Sequence, residues 1–163
     1  MNRKYQLMFL GVVLAALVIE TSFLPVFLAS PFKPDLMLVI MVFVALRGSY
    51  GEGAPAALVL GLVKDSFSGL YLGLNVFTFL VIFIAIKCVA DRLYAESASL
   101  FVFAVTVATL ACMSANLLLL LFTNSSGIAF SMGSALIPHL LANAFAASLV
   151  TLLPGFEQEA EAA

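Results

Sequence analysis

Charge is what this sequence has least of. Seven Lys plus Arg and nine Asp plus Glu make up 10% of 163 residues, where a soluble domain keeps roughly a quarter of its residues charged. With 64% hydrophobic residues and a mean hydropathy of +1.18, the apolar surface has to face lipid, and an ordinary soluble domain is excluded. The few basic residues form no patch for nucleic acid. A single histidine, His139, excludes a His-based metal site. The two cysteines, Cys88 and Cys112, both fall inside apolar runs and read as small buried hydrophobes rather than a disulfide framework.

Catalytic signatures are also lacking. There is no Walker A loop to drive transport with ATP, no H-E-x-x-H, and no candidate channel filter. Ser66-Phe67-Ser68-Gly69 lacks the first glycine of a G-x-S-x-G elbow. The pairings that intramembrane hydrolysis would require, Ser68 with His139 or Asp65 with Glu20, have no supporting motif. The expectation is a protein that is not an enzyme and needs neither cofactor nor metal.

Long apolar runs are what is present. Crossing a hydrocarbon core of about 30 Å takes roughly 20 apolar residues in a helix. Tyr5 to Leu24, Leu72 to Ala90, Ala98 to Phe122 and Met132 to Leu153 meet that length. Arg3 and Lys4 ahead of the first run imitate a secretory signal, but the run is long for one and has no clear A-x-A site, so it reads as an uncleaved span. Between the first two runs, Leu36 to Leu46 and Ala54 to Val63 are each short for a span, and Arg47-Gly-Ser-Tyr-Gly-Glu-Gly separates them.

The positions of Lys and Arg choose between one and two crossings there. Two crossings put Arg3, Lys4, Arg47, Lys87 and Arg92 inside against Lys33 and Lys64 outside. One crossing divides these residues evenly and strands Arg47 and Glu52 near mid-membrane, at a few kcal/mol each. The expected fold is therefore all-α: a polytopic bundle of six transmembrane helices with both termini cytoplasmic. Residues 1–153 form one membrane domain, and 154–163 a short acidic tail carrying Glu157, Glu159 and Glu161. Outer loops fall near 25–34, 64–71 and 123–131, and no segment outside the bilayer is long enough to fold alone.

Polar residues inside such spans are expensive and point to function. Glu20, Asn116, His139 and Asn143 lie toward the outer leaflet, with His139 and Asn143 four apart on one helix face. Lys64, Asp65 and Asn75 flank an outer turn, while the inner halves carry mostly Ser and Thr, among them Ser99, Thr106, Thr109, Ser148 and Thr151. One reading is an outward-facing cavity or docking groove lined by Glu20, Asn116, His139 and Asn143. The other is interhelical hydrogen bonding that holds the bundle, with Glu20 paired to Lys33 or Lys64. Small-residue pairs at Ala57/Gly61, Gly69/Gly73 and Ala142/Ala146 suit close helix approach.

The order Lys33-Pro34-Asp35-Leu36-Met37-Leu38-Val39, then Arg47-Gly48, then Gly61 through Asn75 with its D-x-x-S-G-x-x-L-G-x-N turn, resembles the MreD family of rod shape-determining proteins over nearly the whole chain. The motif residues have physical roles of their own. Pro34 and Asp35 suit a helix start. Asp65 and Ser68 suit hydrogen bonding to backbone freed where the third helix ends, Gly69 and Gly73 a tight turn, and Asn75 a tie to a neighbouring helix.

The resemblance implies a noncatalytic subunit of the bacterial elongation machinery, multi-pass in the inner (cytoplasmic) membrane. It would bind MreC, a single-span partner, and help couple MreB filaments to the peptidoglycan synthases RodA and penicillin-binding protein 2. The six-helix layout is also similar to the substrate-binding subunits of energy-coupling-factor vitamin transporters, whose sites open outward. Two functions stay open: a scaffold for MreC, and a small-molecule-binding subunit of a vitamin-type transporter that uses the outer polar cluster.

Overall fold

The computed structural model describes residues 3–68, 73–90, 97–122 and 133–152, and every regular element in them is helical. Six long helices follow one another: α1 Arg3–Val18, α2 Leu36–Arg47, α3 Tyr50–Ser68, α4 Leu74–Ala90, α5 Ala98–Phe122 and α6 Leu136–Thr151. The α1 rod runs on through a π-turn, Ile19–Phe23, and a last α-turn, Leu24–Phe27. By length and apolar composition Phe9–Phe27 and Ala98–Leu118 are able to cross a membrane, whereas α2, α4 and α6 are shorter apolar helices. The acidic tail lies outside the described residues.

The third apolar segment is longer than its composition suggests. The helix starts at Tyr50, ahead of Ala54, and continues past Val63 through Lys64 and Asp65 to Ser68, for 19 residues in all. Lys64 and Asp65 are thus in the last turns of α3 rather than in a loop. Both charges meet partners on neighbouring helices, so the helix continues through them.

Helix α2 is the centre of the bundle. Met37, Leu38, Val39, Met41, Val42, Ala45 and Leu46 are all buried, and the partly covered residues Leu36, Ile40, Phe43 and Arg47 lie along one face. Its Phe43 packs edge-on against Phe101 of α5, with ring centroids 6.1 Å apart. Gly48 and Ser49 reverse the chain into α3, which returns antiparallel: Gly53 near its start lies by Val44, and Lys64 near its end by Asp35. At the Arg47 end, cations sit over rings, Arg47 at 5.2 Å from the Phe43 centroid and Lys87 at 5.7 Å from that of Tyr50.

Packing between α3 and α4 brings backbone against backbone. A Cβ added at Gly61 would stand 2.6 Å from Val76 Cα and 2.9 Å from its nitrogen, and one at Gly53 would stand 2.5 Å from the Phe83 ring. Gly53, Ala57 and Gly61 recur at intervals of four and are all buried, so this stripe lets the helices touch. Among the small pairs read from the sequence, Ala57/Gly61 has this role. Gly73 does not: nothing lies within 4 Å of its added Cβ, and glycine is required there by a left-handed φ of 95°. Gly69 lies outside the described residues.

Replacing Gly61 by valine is expected to lower stability by about 1–3 kcal/mol, because the obstructing atoms are backbone and cannot swing aside. Gly11→Val, where the added Cβ meets nothing within 4 Å, should change it far less. Unfolding of the purified protein in detergent, followed by helical circular dichroism, compares the two.

Candidate functional site

The site forms where α2 begins. At 12 residues, α2 is only about 18 Å long, and its first turn faces Asn143 and Thr109 in the middle of α6 and α5 and Lys64 near the end of α3. Asp35, Met37 and Leu38 are buried there, so the amides at this helix start need acceptors from the protein.

Side chains accept from two of these amides, and Val39 N–H donates to the Asp35 carbonyl at 3.1 Å. Asp35 is the N-cap, and its Oδ1 accepts from the Leu38 N–H at 3.0 Å. The Asp35 N–H donates to Asn143 Oδ1 of α6 at 2.6 Å. Glu20, which the π-turn of the α1 rod carries, lies close to this first turn and within electrostatic reach of Lys64. Asn143 is fully buried, and its Nδ2 donates to Thr109 Oγ1 of α5 at 2.9 Å, while Thr109 donates back to the Val105 carbonyl at 2.8 Å. Two helices, α5 and α6, are thus tied to the first turn of α2.

Lys64 of α3 supplies the positive charge. Its Nζ donates to Asp35 Oδ2, and the ammonium also lies 5.1 Å from the Phe79 ring centroid. Glu20, Asp65, Cys112 and His139 are within its electrostatic reach. Glu20 Oε2 is buried and has no hydrogen-bond partner among the described residues.

A second constellation joins α3 to α4. Asp65 Oδ2 accepts from the N–H of Gly73 at 2.9 Å and of Val76 at 3.2 Å; Oδ1 accepts from the N–H of Asn75 at 3.0 Å and from Asn75 Nδ2 at 2.9 Å. Asp65 therefore caps the start of α4 from the preceding helix, rather than the end of its own. Asn75 is the tie between neighbouring helices that the sequence suggests. Nothing is described of the Ser68 side chain or of residues 69–72.

Of the residues singled out in the sequence, Asn143 and Asp35 are bonded to each other, and Glu20 and His139 lie within electrostatic reach of Lys64. Asn116 is half-buried seven residues beyond Thr109 on α5, and no described contact joins it to the cluster. Pro34 directly precedes the N-cap instead of opening the helix. Sequence reasoning placed Lys64 in an outer turn and Thr109 with the inner-half hydroxyls; both belong to the cluster. Their signal was weak, since a threonine in an apolar run commonly bonds its own helix, as Thr106 does to the Val102 carbonyl.

The arrangement consists of caps and an ion pair rather than a nucleophile beside a base. Removing one member of the pair, as in Lys64→Met or Asp35→Asn, is expected to cost about 3–5 kcal/mol, because the other charge is left buried. The double variant Asp35→Asn/Lys64→Met should recover part of that loss, which a double-mutant cycle of unfolding in detergent measures. Asp65→Ala should cost about 2–4 kcal/mol by orphaning the amides of Gly73, Asn75 and Val76 together.

Comparison with known proteins gives one result. The family model described as rod shape-determining protein MreD matches residues 1–156. No curated protein and no solved structure matches the chain. The match takes in both constellations and the D-x-x-S-G-x-x-L-G-x-N turn, and at 156 of 163 residues it extends over nearly the full length: the chain belongs to the MreD family of rod shape-determining proteins.

Proposed function

We propose that this chain is a noncatalytic scaffold of the rod-shape machinery, held in the bacterial inner membrane by six crossing helices with both termini in the cytoplasm. It binds MreC through packing at lipid depth and through the surface around the α3–α4 turn, and so helps couple MreB filaments to RodA and penicillin-binding protein 2. The observation that carries the reading is the family match over residues 1–156. The family has a role in rod-shape determination and is a membrane component of the cell envelope.

The chemistry of the polar groups supports a scaffold. Asn143 and Asp65 are spent on joining helices, with Asn143 bonded at both ends of its amide and Asp65 at both oxygens. A ligand site of the vitamin-transporter kind needs such groups turned toward a cavity. What remains for partners is the apolar outer surface of the helices, which includes Phe77 and Val81 of α4 and Ile137, Leu141 and Phe145 of α6. Lipid-depth association of helices rests on close packing and small residues.

Co-purification tests this function. Tagged protein expressed with MreC from the same organism and solubilised in mild detergent should elute with it at fixed stoichiometry. Gly69→Leu and Gly73→Leu should reduce recovered MreC several-fold while the chain still inserts and remains helical. Normal recovery of MreC with both variants would remove the turn from the interface. Failure of the unaltered protein to hold MreC, with binding of a small ligand that Glu20→Gln, Asn116→Leu or His139→Leu abolishes, would replace the scaffold by the transporter subunit.

A further inference from the structure

Helices α4 and α5 leave an apolar groove between them. Ile86 and Val89 of α4, Leu100, Phe103 and Val107 of α5 and Leu46 at the end of α2 line a space of about 240 Å³. Leu46 lies buried at the back, while Val89, Phe103 and Val107 are exposed along the rim, so the groove opens on the outer surface of the bundle. Ala85, Ala90 and Ala104 keep it concave where longer side chains would fill it. Every lining residue is apolar, and a groove without polar groups cannot orient a polar small molecule. Its volume falls below the roughly 300–1,000 Å³ of small-molecule pockets and above the roughly 150 Å³ of an apolar cavity that admits benzene, which suits a slim hydrocarbon chain.

Two cations stand at one end of this groove. Arg47 directly follows Leu46 in α2, and Lys87 directly follows Ile86 in α4; both are half-buried. Arg47 lies over the Phe43 ring and Lys87 over that of Tyr50, which keeps both charges near the turn between α2 and α3. Glu52, in the first turn of α3, is exposed, so among the described residues this end carries two cations and one carboxylate. We infer that the groove holds one acyl chain of an anionic phospholipid, with the phosphate facing Arg47 and Lys87. Basic pockets between transmembrane helices on the cytoplasmic side hold anionic lipid head groups, and the topology proposed above puts Arg47 and Lys87 on that side. A guanidinium and an ammonium both form charge-assisted hydrogen bonds to phosphate oxygens. The apolar walls take the chain and the cations the head group, so the lining needs no polar group of its own.

Fluorescence quenching by brominated lipid tests this site in the full-length protein reconstituted in vesicles. The sequence has no tryptophan, so Phe103→Trp places a single reporter at the groove and Phe145→Trp one on the exposed surface of α6. The quencher is phosphatidylglycerol with brominated acyl chains, a minor fraction of both leaflets of a phosphatidylcholine bilayer, which makes the result independent of the chain's orientation. It should quench Phe103→Trp several-fold more than Phe145→Trp, whereas the same fraction of brominated phosphatidylcholine should quench the two equally. Adding Ala85→Leu, at an exposed position, should remove the excess by filling the groove, and adding Lys87→Gln should reduce it. Equal quenching of the two reporters by brominated phosphatidylglycerol overturns the site. An excess that brominated phosphatidylcholine produces as strongly, or that survives Lys87→Gln in full, overturns the anionic head group. One that survives Ala85→Leu overturns the groove as the place of the chain. No quenching of Phe103→Trp by either lipid overturns the proposal in favour of a protein helix, a second copy of this chain included, that covers the groove.

Discussion

A helix that starts inside the bundle is the constraint on which the rest of this structure depends. Asp35, Met37 and Leu38 are buried at the start of α2, so the N-terminal amides there need acceptors from the protein. Asp35 and Asn143 supply them, and their own needs recruit further groups: Thr109 for the Asn143 amide, and Lys64 for the Asp35 carboxylate. Each added group comes from a different helix. The satisfaction of a few backbone donors therefore also fixes how α3, α5 and α6 stand around α2.

The same logic, on a smaller scale, joins α3 to α4. Gly53, Ala57 and Gly61 remove the side chains that would separate the two helices. Asp65 then gathers three amides and one side-chain amide at the start of α4. In lipid, apolar burial alone gives helices little reason to associate, so close contact and paired polar groups have to do it. Among the described residues, such a frame is joined by polar groups inside and mostly apolar outside, which suits the proposed scaffold function.

Much of this organisation is legible in the sequence. Scarce charge and long apolar runs gave the class, the distribution of Lys and Arg gave the expected crossings, and the motif from Asp65 to Asn75 gave the resemblance to the MreD family that the match over residues 1–156 bears out. Glu20 and Asn143 stood out because an acid and an amide inside apolar runs are costly. Less legible were the partners they would meet: Asn143 bonds the Asp35 N–H at the start of α2 and Thr109 of α5.

What the sequence by itself determined is what each residue type requires: lipid for the apolar runs, partners for the buried charges, freedom of φ or of space for the glycines. Which requirement a position satisfies, and with whom, only the tertiary structure decided. Gly61 and Gly73 are the same residue in one motif region, yet one admits a neighbouring backbone and the other a left-handed turn. Lys64 finds Asp35 across 29 residues, Asn143 finds Thr109 across 34, and Asp35 finds Asn143 across 108. Helical periodicity reaches only three or four residues along the chain, so pairs at these separations leave no local signature and exist only once α2 is enclosed.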